Sequence, residues 1–100
     1  MGLSTFTSSS LSSATTTGTV RTSKAIVAVT GTFSATVKFK WTDEGGVTHT
    51  VQESGSDLSL TAAGERVLDF GVPVSLYGEV TSYTSGTAVI AIQGAILAYP

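Results

Sequence analysis

Polar and apolar side chains alternate strictly over TFSATVKFKW, residues 32–41, with Phe33, Ala35, Val37, Phe39 and Trp41 on one side and Ser34, Thr36, Lys38 and Lys40 on the other. Successive side chains of a strand point to opposite faces, so this pattern predicts a strand with one buried face; a helix would scatter the five apolar residues around its axis. The alternation stops at TDEGGVT, where Gly45 or Gly46 supplies the positive φ of a tight hairpin. It resumes over VTHTVQE, residues 47–53, with Val47, His49 and Val51 in phase. Upstream, KAIVAVTG, residues 24–31, is a short apolar run closed by Gly31, which predicts a strand covered on both faces.

Further along, SGSD (54–57) reads as a second turn, LSLT as a short strand and AAGE as a third turn. RVLDFGVP (66–73), VSLYGEVTSY (74–83) and TAVIAIQGAILAY (87–99) read as strands, with TSG between the last two. Pro73 should end or bend its strand, because it cannot donate to a ladder. LTAAGERVLDF comes nearest to a helical period, and Gly64 interrupts it. About seven strands at spacings near ten residues predict an all-β fold, a single small antiparallel β-sandwich or barrel.

The pattern divides the chain in two. Residues 24–100 carry the β periodicity, whereas residues 1–23 form a Ser/Thr-rich leader with sparse apolar anchors at Leu3, Phe6, Leu11 and Val20. A segment this polar cannot bury a face of its own, so it should be extended or disordered when alone. The anchors suggest an arm that docks on a neighbouring surface, which makes Leu3, Phe6 and Leu11 candidate partner contacts; a plain disordered tail is the alternative.

Composition narrows the function classes. The chain has 100 residues, enough for one core without disulfides or metals, and no cysteine, which removes disulfides and thiolate metal sites. A net charge of −2 with 12% charged residues leaves no basic stripe for nucleic acid. The longest apolar run, Ala88 to Ala98, is interrupted by Gln93 and Gly94 and is well short of the roughly 20 residues of a membrane-spanning helix. No conventional signal peptide is expected, since the first residues lack a basic and an apolar region, and Phe6 stands where myristoylation needs Ser or Thr. Thr and Ser make up 31 residues, and the Thr share favours pleated, half-buried surfaces. Asn is absent, which excludes N-glycosylation and the Asn-Gly turn.

Candidate chemistry is sparse. A nucleophilic triad needs a base held by a third group, and His49 is the only histidine; its mid-strand position predicts a half-buried or interface residue. Asp43 and Glu44 are adjacent, so their carboxylates diverge, and the remaining acids, Glu53, Asp57, Glu65, Asp69 and Glu79, follow no metal-loop spacing. Neither phosphate-loop nor dinucleotide glycine spacing occurs. No catalytic, metal or cofactor residue is therefore assigned, and no small-molecule substrate is expected. Trp41, Tyr77, Tyr83 and Tyr99 are the candidates for a sugar-stacking platform, so a glycan-binding β-sandwich is the alternative from another class. Trp41 is in register with the core-facing Phe33 and Phe39, whereas Tyr77 is out of phase with Leu76 and Tyr83 sits in a turn-like TSYTSG, which makes both candidate exposed contacts.

Residues 33–92 resemble a small all-β type found among structural proteins of tailed bacteriophages. The elements that carry the resemblance are the alternating strand Phe33 to Phe39, the Asp43 to Gly46 turn, the Gly55 to Gly64 turn segment and the Ser-Gly-Thr turn at Ser85 to Thr87. The leader is not part of that pattern. The resemblance implies a non-enzymatic virion protein that binds and stabilises the capsid, a head decoration or cement protein, with a phage tail, baseplate or fibre module as the runner-up. It implies the capsid surface as location and the major capsid protein or other virion proteins as partners. It also implies a homo-oligomer, with a trimer favoured and His49, Tyr77 or the strand 87–99 near the interface.

Overall fold

The computed structural model describes residues 3–96, with side chains described from Phe6 to Ala95. Among them the fold is all-β: β1 (Leu3–Leu11), β2 (Val20–Thr30), β3 (Phe33–Thr42), β4 (Thr48–Thr50), β5 (Gln52–Glu53), β6 (Ser56–Asp57), β7 (Gly64–Gly86) and β8 (Ala88–Ile96). Six strands form one antiparallel sheet in the order β1-β8-β2-β7-β3-β4, and β5 pairs with β6 in a small ribbon.

This sheet folds into two layers because β7 belongs to both. Its first part, Gly64 to Asp69, pairs with Val29 to Lys24 of β2, and its later part, Ser75 to Gly86, pairs with Thr42 to Phe33 of β3. Between them the register with β2 jumps from Lys24↔Asp69 to Thr22↔Val74. The excess residues on β7, Phe70 to Pro73, make the corner. Gly71 turns there with φ 75°, its N–H donating to the Asp69 carboxylate at 3.0 Å, and Pro73 has no N–H to leave unpaired. The two strands expected at 66–73 and 74–83 are thus one bent strand, which Pro73 bends without ending.

Opposite the corner, β2 carries a smaller irregularity at Ser23, where two consecutive residues, Thr22 and Ser23, are buried. Both hydroxyls reach the Ala95 carbonyl, each at 3.1 Å, and the Ala95 N–H donates back to Thr22 Oγ1 at 3.0 Å. The bulge therefore stays hydrogen-bonded although it is buried.

The core lies between the layers. Val27, Val29, Ile90 and Ile92 project from one side, Val37, Phe39, Leu76 and Val80 from the other, and Val51, Leu58 and Leu60 close the open end. Each such side chain contributes about 1.5–3 kcal/mol by burial. The layers touch at Gly78, where a Cβ would lie 3.1 Å from Ile90 and 3.2 Å from Phe39.

Two expectations are corrected here. Residues 3–11 are not an arm separate from the domain: β1 pairs along the whole of β8, and β2 begins at Val20 rather than at Lys24. Residues 12–19 then pass to the other layer, where Thr17 donates its N–H to the Gly78 carbonyl and Val80 donates to the Thr15 carbonyl, both at 2.9 Å. The run at 24–31 is covered on one face only: Ala25, Val27 and Val29 are buried, whereas Ile26 is 49% exposed.

Candidate functional site

The hairpin of β3 and β4 carries Lys38, Lys40, Asp43, Glu44 and the single histidine, His49. Asp43 opens its turn, accepting the Gly46 N–H on its carbonyl and the Val47 N–H on Oδ1, both at 3.0 Å, while its own N–H donates to the Val47 carbonyl. Gly46, at φ 84°, supplies the left-handed residue that follows the turn, the geometry of a three-residue hairpin loop with a glycine bulge. His49 donates Nε2–H to Asp43 Oδ2 at 2.8 Å and stacks its ring on Trp41, centroids 4.3 Å apart. Phe70 from the β7 corner meets Trp41 at 5.6 Å. Hydrogen bonds from His49 first, then from Val47, hold the Asp43 carboxyl below its ordinary pKa.

Chemically, this cluster braces the turn. The imidazole has one nitrogen on Asp43 and one face on Trp41, and the nearby Thr42 and Thr48 hydroxyls bond to each other at 3.0 Å. Trp41 is half-buried against the core and already stacked, so the geometry does not favour it as a sugar platform. Among the described residues no group of three or more His, Cys, Asp or Glu is placed to hold a metal ion.

The candidate contact residues separate. Leu11 is buried in the core and unavailable to a partner, a correction that follows from β1 docking on its own sheet. Leu3 ends β1 opposite Ile96, its side chain outside the described residues, as is Tyr99. Tyr77 is half-buried on β7 beside Lys40 of β3. Tyr83 packs partly against the core and donates its hydroxyl to the Gly86 carbonyl at 2.9 Å, which ties it to its own turn. Phe6 is 66% exposed.

Phe6 does not stand alone. Phe6 on β1 pairs with Gln93 on β8, Gln93 with Ile26 on β2, and Ile26 with Val67 on β7, a single row across the outer face of one layer. Ile26 and Val67 are 49% and 63% exposed. The next row is Ser8, Ala91, Ala28 and Glu65, and Val89 follows beyond Ala91. Outward positions of a half-solvated sheet are ordinarily polar, so this apolar row is a contact-surface signature. Sequence reading missed Ile26 and Val67; the sign was present in KAIVAVTG, whose apolar residues occupy both faces. Compared with protein-family models, curated proteins and solved structures, the chain matches none of them.

Proposed function

We propose that this chain is a non-enzymatic structural protein of a bacteriophage virion that binds and stabilises the capsid, adding β1 to a strand of the major capsid protein or another virion protein. The observation that carries the proposal is the outer edge of β1, which is unpaired among the described residues. It is nine residues long, LSTFTSSSL, and holds no charge and no proline. Natural edges are usually blunted by charge, proline or brevity, as they are here at the three-residue β4 and at the first part of β7 with Glu65, Arg66 and Asp69. An unblunted edge offers a row of backbone donors and acceptors to an incoming strand, and main-chain bonds then supply affinity. The resemblance of residues 33–92 to phage structural proteins supplies the virion context.

Co-sedimentation with assembled heads tests this reading. Saturable binding and a raised head-disruption temperature are expected, and Ser10→Lys should weaken binding at least tenfold while the free protein stays folded. Residence in tail fractions alone, or equal binding by the Ser10→Lys variant, would overturn it.

A further inference from the structure

We infer that the outer face of the layer built from β1, β8, β2 and the first part of β7 is a twofold interface between two copies of this chain. It is a different surface from the β1 edge and does not depend on capsid binding. The row Phe6, Gln93, Ile26 and Val67 crosses all four strands, flanked by Ala91, Ala28 and Val89, which are too small to interrupt close packing of a second sheet at about 10 Å.

The area fits a second copy. Nine residues each of β1 and β8, seven of β2 and six of β7, on strands about 4.8 Å apart, cover about 500 Å² in plan and more over the corrugated side-chain surface, against about 600 Å² per partner at the lower end of standard stable interfaces.

Charge selects the arrangement. Glu65 and Asp69 stand at the β7 side of the face, Lys24 is near its middle, and Phe6, Ser8 and Ser10 at the β1 side are uncharged. A twofold axis parallel to the strands, between β8 and β2, lays the β7 side of one copy over the β1 side of the other. Val67 then meets Phe6 of the second copy, Ile26 meets Gln93, and Glu65 meets the hydroxyl of Ser8. An axis perpendicular to the strands through the apolar row would instead oppose Asp69 to Glu65, a like-charge contact. The face is therefore self-complementary in one orientation, which closes the assembly as an isologous dimer. This differs from the threefold association that the family resemblance implies.

Sedimentation equilibrium of the free full chain, without capsids, reads the result. The expected species is a dimer of the 10.2 kDa chain, shifted at least tenfold toward monomer by Ile26→Lys with Val67→Lys. A cross-link guards against misfolding of that variant: Phe6→Cys with Val67→Cys adds thiols to a chain that has none, about 14 Å apart within one copy but facing each other across the axis between sheets about 10 Å apart, a spacing too wide for a disulfide. A bifunctional thiol reagent too short for the span within one copy should convert this variant to a covalent dimer. A monomer or trimer at about 100 μM, a dimer that persists in the double-lysine variant, or no cross-link would each overturn the inference. Because heads are absent, failure here leaves the capsid reading separately testable.

Discussion

Glycines with similar φ angles have very different duties in this chain. Gly46 and Gly86 sit at φ 84° and 86°, so both occupy the left-handed region that side chains disfavour. Around Gly46 there is open space, whereas a Cβ on Gly86 would run into the Thr32 carbonyl and lie 2.7 Å from Phe33 Cα. The difference arises because the β7–β8 turn crosses the β2–β3 turn there, with Thr87 N–H donating to the Thr32 carbonyl at 3.0 Å and Gly31 pressed against Thr87 from the other side. Gly46→Ala should therefore cost about 1 kcal/mol, the conformational term alone. Gly86→Ala adds a backbone clash and should cost more than about 3 kcal/mol, within the range that strained backbone substitutions reach. Urea titration of both variants checks the contrast, and equal losses would contradict the crossed-turn geometry. Nothing in TSGT distinguishes Gly86 from Gly46 in EGGV, because the clash comes from a turn more than fifty residues away in sequence.

At the scale of elements, legibility followed locality. The β3 alternation and the Asp43 to Gly46 turn follow from period two and turn chemistry and fold as read, with Gly46 rather than Gly45 at positive φ, whereas the return strand expected over residues 47–53 breaks at Val51 into β4 in the main sheet and β5 in the small ribbon. The continuity of β7 through DFGVP could not be read, since a corner is indistinguishable from a break until β2 supplies the second register. His49 could be placed on its strand, but its bond to Asp43 depends on the turn folding back. That bond gives the hairpin an acid response. The Asp43 carboxyl is held below its ordinary pKa, so its contribution is present above the unfolded carboxyl's value near 4 and is lost as pH falls through the folded value. Trp41 is the single tryptophan and stacks on His49, so its fluorescence reports this end of the sheet. Below about pH 4 its emission should change, and Asp43→Asn should remove that transition; an identical acid transition in the variant would detach the effect from Asp43.

The whole molecule is closed by its N-terminal strand. Composition alone makes residues 3–11 look dispensable, because nine residues with three apolar anchors cannot bury a face by themselves. In the fold they are held by β8: the two strands pair from Leu3↔Ile96 to Leu11↔Ala88, Thr7 and Ser9 are half-buried, and Leu11 joins the core at 7% exposure. The segment that follows continues into the second layer, where Thr17 is buried, accepts the Gly78 N–H at 2.9 Å and lines the point where the layers meet. A disordered arm and a closing strand make opposite predictions for truncation. Removal of residues 1–11 would strip a nine-residue ladder, open a cavity at Leu11 and leave the apolar β8 as an uncharged edge. Loss of the buried leucine alone is worth about 2–5 kcal/mol, a large fraction of the roughly 5–15 kcal/mol that holds a domain folded. The truncated chain should therefore melt well below the full one and aggregate through β8, since an exposed edge of alternating Ala, Val and Ile is a template for further pairing. Scanning calorimetry with light scattering separates the two readings: an unchanged melting temperature with no scattering would return residues 1–11 to the status of an arm, and with them the β1 edge proposed to bind the capsid.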